Sequence, residues 1–322
     1  MATVDEKILA ASLKHPIVVL PEGQLYKYGT AGFRMKSDLL DGVTFRVGLL
    51  AALRTRKLGS QTIGVMITAS HNPAADNGIK LVDPMGEMLE QEWETHATRL
   101  VNCKSDQELV DTFKALAVQL KVDLSAPGRV IYGRDTRPSG HGLIIALSDA
   151  LKATDTETHD YKLITTPILH YLTRCVNTEG TPLAYGKVSE VGYYEKLSEA
   201  FVRSLRGKKV QGQLIVDCSN GIGAPKFAEF LKYVSSEVTG LNVKIVNDDV
   251  IRPEVLNFEV SHSLYSLWYR QRTACRQLLT FLCSAEPTMS NPSNEPQLPR
   301  SRFRVCDAAP STAMLTVSST TG

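Results

Sequence analysis

The feature that most restricts what this chain can fold into is a unit that recurs three times. A short apolar run gives way to a polar turn, and in two of the three cases a helix follows the turn. Ile63 to Ile67 is five residues of β-branched and apolar character, too short for a helix, so it predicts a strand buried on both faces. It ends in Thr68-Ala69-Ser70-His71-Asn72-Pro73, and Asn77-Gly78 makes a second turn signal before the apolar run Ile79 to Val82. Arg129 to Gly133 ends in Arg134-Asp135-Thr136-Arg137-Pro138-Ser139, and a helix follows through Leu143, Leu147 and Leu151. Tyr161 to Ile164 ends in Thr165-Thr166-Pro167, and a helix starts near Ile168. Strands alternating with helices predict an α/β fold, in which the turns gather at the carboxyl ends of the strands, where ligands bind.

Further helices are predicted over Asp5 to Leu13, from Asp41 to a C′ glycine at Gly59, over Met88 to Lys104, and after the Ser105-x-x-Glu108 capping box. Trp93 is expected in the core. Gly29-Thr30-Ala31-Gly32-Phe33-Arg34 reads as a polar turn whose glycines let the backbone approach a ligand and whose Arg34 offers a fork to phosphate. Ser70, Arg34 and Arg137 are expected to share one crevice. Arg134 and Asp135 are expected to satisfy one another.

A helix over Tyr193 to Leu205 leads to a second βα unit: strand Gln213 to Cys218, turn Ser219-Asn220-Gly221-Ile222-Gly223, helix Pro225 to Val234, then strand Val243 to Val246. The turn lacks the third glycine and the later acid of a dinucleotide site, so a close-packed βα turn is expected. After Glu259 the composition changes. Residues 260 to 322 hold no lysine, only the terminal glycine, and five prolines that interrupt regular structure. The organisation expected is therefore 1–186 as a first domain, 187–259 as a partial second domain, and 260–322 as a disordered tail.

At 322 residues the chain can bury a good core. A net charge of +2 argues against nucleic acid or an anionic membrane as partner. No apolar run has the length of a membrane span and the N-terminus lacks a signal-peptide core, so a cytoplasmic location is expected, for a protein expected to be a monomer. None of the six cysteines falls in a C-x-x-C pair, and free thiols are expected.

Three chemistries can use the Ser70 loop. A serine hydrolase needs a base beside Ser70 and an oxyanion turn, yet the G-x-S-x-G elbow is absent and His71, as the adjacent residue, is badly placed to take the proton. A phosphoryl carrier needs cations, which Arg34 and Lys80 supply. The third alternative is an ordinary surface loop, or a non-catalytic fragment that binds a phosphosugar or a protein.

The motif Thr68-Ala69-Ser70-His71-Asn72-Pro73 with Asn77-Gly78-Ile79-Lys80 resembles the phosphoserine loop of the α-D-phosphohexomutases. Leu81 to Leu89 and Tyr28 to Arg34 are similar to the phosphoacetylglucosamine mutase branch of that family. The resemblance runs from about Gln24 to Glu259, the first domain and part of the second of a four-domain architecture. It implies a three-layer α/β/α first domain and a second, incomplete α/β domain. It further implies an isomerase that interconverts N-acetylglucosamine 6-phosphate and 1-phosphate through a bisphosphate, feeding UDP-N-acetylglucosamine synthesis. Ser70 would be the phosphoserine and would bind Mg²⁺ through its phosphate. Arg34 and Lys80 would stabilise the moving charge, His71 would be an acid/base or a contact, and Arg137 and Asn72 would touch phosphate or sugar. The family's Asp-Gly-Asp-x-Asp-Arg metal loop has no counterpart here, since no D-x-D cluster exists. Asp248 and Asp249 are expected to cap a turn instead. A truncated form with little or no turnover of its own is the expectation.

Overall fold

The computed structural model describes residues 2 to 29, 32 to 257 and 312 to 315. They divide into two compact units, Met1–Val188 and Ser189–Gly322.

In the first unit the elements run α1 (Val4–Ser12), β1 (Phe33–Lys36), a 3-10 turn, α2 (Asp41–Lys57), β2 (Ile63–Ile67), β3 (Asp76–Val82), α3 (Gln91–Val101), α4 (Asp106–Gln119), β4 (Gly128–Arg134), α5 (Gly140–Ala153), β5 (Thr156–Leu163) and α6 (Thr166–Thr178). The five strands form one mixed sheet in the order β1-β3-β2-β4-β5. β2, β4 and β5 are parallel, while β3 returns antiparallel beside β2 and β1 pairs antiparallel with β3. The Ser70 loop is thus the link between the antiparallel neighbours β2 and β3, rather than a βα turn.

Strand alternation sorts the buried residues onto two faces. Ile63, Val65, Ile67, Ile79, Leu81, Val130 and Tyr132 join one core with α1 to α5. Met66, Val82 and Ile131 are buried on the other face. There α6 covers the sheet: a Cβ on Gly64 would come within 2.5 Å of the Thr173 hydroxyl and 3.5 Å of Leu169. Helices on both sides make the three-layer α/β/α domain that the sequence implies. Ser105 caps α4, accepting from the Glu108 amide at 3.1 Å, while Glu108 reaches back to the Lys104 amide at 2.7 Å rather than to that of Ser105, so half of the expected capping box forms. Gly59 ends α2 at φ +67. Trp93 is 3% exposed and lies under the Arg54 guanidinium, 4.7 Å from its centroid.

Two arginines of α2 tie the layers together. Arg54 forks onto Asp83 at 3.0 and 2.6 Å. Arg56 donates to the carbonyls of Ala52, Ala126 and Thr154 at 2.7 to 3.0 Å, tying α2 to the chain just before β4 and β5.

The second unit holds α7 (Glu190–Leu205), β6 (Gln213–Asp217), α8 (Gly223–Leu231), α9 (Ser236–Thr239), β7 (Asn242–Val246) and β8 (Thr312–Leu315). The sheet order is β7-β6-β8, all parallel. The Gly221-Ile222-Gly223 turn opens α8 as a close-packed βα connection, with Leu256 3.3 Å from where a Gly221 Cβ would stand. Asp249 caps its turn, accepting from the amides of Ile251 and Arg252 at 3.1 and 3.3 Å. Thr312–Leu315 is a strand within the segment expected to be a disordered tail; the rest of that expectation lies outside the described residues. Among the described residues no helix is long and apolar enough to cross a membrane.

Candidate phosphoryl-transfer site

β2 delivers the chain to Thr68, whose amide still bonds to Gly78 across the hairpin at 3.0 Å. The chain then leaves the sheet. Ser70 sits at φ +49, a left-handed conformation that costs a non-glycine residue roughly 1–2 kcal/mol and turns its side chain outward. Its hydroxyl is exposed and accepts from Arg34 NH2 at 3.4 Å. Arg34 reaches it because β1 pairs with β3 in a register that sets Arg34 opposite Gly78. Gly78 must be glycine: an added Cβ would lie 2.7 Å from Thr68 O and 2.8 Å from Phe33 O.

Lys80, two residues on, shares its sheet face with Arg34 and Gly78 and pairs across the sheet with Met66. Gly32 closes against it. Gly29 and Gly32 exchange backbone hydrogen bonds, and Gly32, at φ +80, lies so near β3 that a Cβ would be 2.2 Å from Ile79 O and 2.8 Å from Lys80 Cβ. On the same face stands His170 of α6, whose Nδ1–H donates to Gly86 O at 2.8 Å. That contact keeps a proton on Nδ1, so the neutral ring is unprotonated at Nε2. Burial, and secondarily the Lys80 charge, lowers the His170 pKa to about 4. Burial, and secondarily the charge of Arg137, pushes the Arg34 pKa down.

Arg137 lies beneath the loop rather than at its surface. Its side chain is 1% exposed and ion-paired with Asp135. Nε donates to Asp76 O at 2.9 Å, and NH2 donates to Ser70 O at 3.1 Å and Asn72 O at 2.6 Å. Its guanidinium is committed to carbonyls of the loop. Asp135 pairs with Arg137 and not with Arg134, which reaches Asp160 at 3.5 Å instead. Asp135 also accepts from the Thr68 hydroxyl at 2.6 Å, and that hydroxyl accepts from the Ser70 amide at 3.2 Å. The Asn72 side chain turns inward to Asp76 at 3.0 Å, and Asp76 is ion-paired with Lys36 at 2.7 Å. His71 is on the exposed rim next to Ser70.

The structure thus brings Ser70, Arg34 and Arg137 together and places Lys80 on the same face. Asp76, Lys36 and His170 were not singled out from the sequence, and Thr68 and Asp135 were named there without a role at the site. Only Thr68 and Asp135 carried a signal, as polar residues immediately after buried strands.

The arrangement is an exposed hydroxyl with a guanidinium on it, which suits phosphate. Residues 49–108 and 101–182 match the phosphoglucomutase/phosphomannomutase alpha/beta/alpha domain I family model. Phosphoacetylglucosamine mutase of Sus scrofa is 48% identical over 232 residues, covering 71% of this chain and 41% of the relative. The chain belongs to the phosphoacetylglucosamine mutase family. It spans under half the length of that relative. The fold agrees with the crystal structure of Aspergillus fumigatus N-acetylphosphoglucosamine mutase, a serine-to-alanine variant with glucose 1,6-bisphosphate. The TM-score is 0.76 at 55% identity, covering 80% of this chain and 47% of that one. The same enzyme with GlcNAc-6P and magnesium gives 0.74 at 52% identity, covering 83% and 48%.

Proposed function

We propose that this chain carries the phosphoryl-accepting part of a phosphoacetylglucosamine mutase, with Ser70 as the group that gains and returns the phosphate. The whole reaction would interconvert N-acetylglucosamine 6-phosphate and 1-phosphate through a bisphosphate, as a step toward UDP-N-acetylglucosamine. The observation that carries this is the Arg34 guanidinium 3.4 Å from Ser70 Oγ, at an exposed left-handed residue. In the transfer, Ser70 Oγ forms a bond to phosphorus as the sugar oxygen–phosphorus bond breaks. The serine proton passes to the departing sugar oxygen. Arg34 and Lys80 offset the charge on the equatorial oxygens, and His71 at the rim is a candidate relay for the proton.

Magnesium accompanies the sugar phosphate in the Aspergillus fumigatus enzyme. A phosphorylated Ser70 would offer it one oxygen. The described residues do not otherwise fit the ion: no group of three His, Cys, Asp or Glu among them stands together. The loop carboxylates are already spent, Asp76 on Lys36 and Asn72, Asp135 on Arg137 and Thr68. On this reading the chain accepts phosphate on Ser70, and the rest of the mutase cycle belongs to the full length of its relatives.

A fluorophosphonate probe discriminates against the hydrolase alternative. Ser70 should stay unlabelled under conditions that fully label a serine esterase; an adduct on Ser70 would show an activated acyl nucleophile and defeat the proposal.

A further inference from the structure

Ser70 meets Arg34 from an unfavourable backbone conformation on an exposed link between strands. Something must hold it. The nearest held group is Arg137, whose Nε and NH2 donate to the carbonyls of Asp76, Ser70 and Asn72 at 2.6 to 3.1 Å. These carbonyls lie on both limbs of the loop, so one rigid guanidinium plane sets their spacing. Arg137 is in turn fixed by Asp135, which takes the Arg137 amide at 3.0 Å on one oxygen and its NH1 on the other. Asp135 is anchored to β2, its amide donating to Ile67 O at 3.2 Å. The Thr68 hydroxyl links the same carboxylate to the Ser70 amide.

We propose that Arg137, held by Asp135, is a positioning residue: it fixes Ser70 by its backbone so that the hydroxyl faces Arg34, and it touches no substrate. The proposal rests on the reading of Ser70 as phosphate acceptor. Charge supports the division of labour. Arg137 is neutralised by Asp135, so its cation is not offered to the incoming phosphate, and the Arg34 charge is left for that purpose. Burial keeps the pair in place, with side chains 1% and 5% exposed. A lysine at 137 would retain the charge but could not span three carbonyls.

The test follows phosphorylation of Ser70 in the 322-residue protein by glucose 1,6-bisphosphate with Mg²⁺, for wild type, Arg137→Lys and Thr68→Val. The maximal rate should fall at least about tenfold in Arg137→Lys and by a smaller factor in Thr68→Val, while the half-saturating bisphosphate concentration stays within about twofold. An unchanged rate per folded molecule overturns the proposal. So does a loss confined to half-saturation, which would make Arg137 a substrate contact. If Arg137→Lys does not fold, Thr68→Val decides alone. Failure of the wild type to take phosphate would defeat the proposed function and leave the clamp to be judged by amide exchange over residues 68 to 76. Exchange should quicken at least about tenfold in Thr68→Val; unchanged exchange would then overturn the clamp.

Discussion

At residue scale the sequence shows which groups are present but not which neighbour each one faces. Arg134 and Asp135 are adjacent and oppositely charged, yet consecutive side chains at a strand end point to opposite sides. Arg134 therefore meets Asp160 on β5, while Asp135 faces back over β2 to Thr68 and Arg137. His170 is a plainer case of position deciding chemistry. Its folded pKa of about 4 lies below the ordinary 6.5, so the native state disfavours the proton that the unfolded chain binds. The contribution to stability is complete above pH 6.5 and is lost as pH falls toward 4, by about 3 kcal/mol over that window. His170→Asn retains a donor for Gly86 O and cannot titrate. Urea denaturation between pH 7 and 4 should show the wild type losing more stability than this variant; parallel curves would refute the assignment. Ser70 and Lys80 were legible as neighbours because motif residues close in sequence stay close across a hairpin, whereas Arg34 is brought in by the β1–β3 register. The clamp was not, because it joins Arg137 to residues more than 60 positions away.

At the scale of elements, strands buried on both faces were legible and edge strands only in part. β2 reads as a strand from its unbroken apolar run, whereas β5 begins with Thr156-Glu157-Thr158-His159, polar because it lies at the sheet edge. β1 was read as part of a turn because its pairing partner is more than 40 residues on, and Asn77-Gly78, a turn signal by composition, lies inside β3. Gly78 is there because β1 and the Ser70 loop close on it from both sides. Gly78→Ala should destabilise the protein by about 1–3 kcal/mol and pull Arg34 away from Ser70; an unchanged denaturation midpoint would show that the hairpin is looser than described. The loop also has its own acid limit. The Lys36 ammonium, with smaller help from Asn72, holds the Asp76 carboxyl below the usual carboxylate range. A depressed carboxylate stabilises above its unfolded pKa, so loop protection should persist down to about pH 4 and fade as pH falls through the lower folded value. Amide exchange over residues 68 to 76 measures this, and Lys36→Met should move the loss to higher pH.

At the scale of the molecule, the layered first unit, Met1–Val188, is complete as a sheet with helices on both faces, and it alone holds Ser70, Arg34, Lys80 and Arg137. The alternating strand and helix pattern carried that architecture. The chain nevertheless spans only 41% to 45% of three curated relatives that it matches, and no carboxylate set for a divalent ion occurs among the described residues. A transition state with charge spread over phosphoryl oxygens leans on such an ion for several kcal/mol. In a coupled assay with N-acetylglucosamine 6-phosphate, Mg²⁺ and a trace of bisphosphate, this chain should show no sustained turnover; a rate matching a full-length relative and abolished by Ser70→Ala would reverse that conclusion. The central claim, that Ser70 is a phosphate carrier, is met most directly by peptide mapping after incubation with glucose 1,6-bisphosphate and Mg²⁺. The account predicts one added phosphate on the peptide bearing Ser70, absent in Ser70→Ala; phosphate on another residue, or none on Ser70 in folded protein, would contradict it.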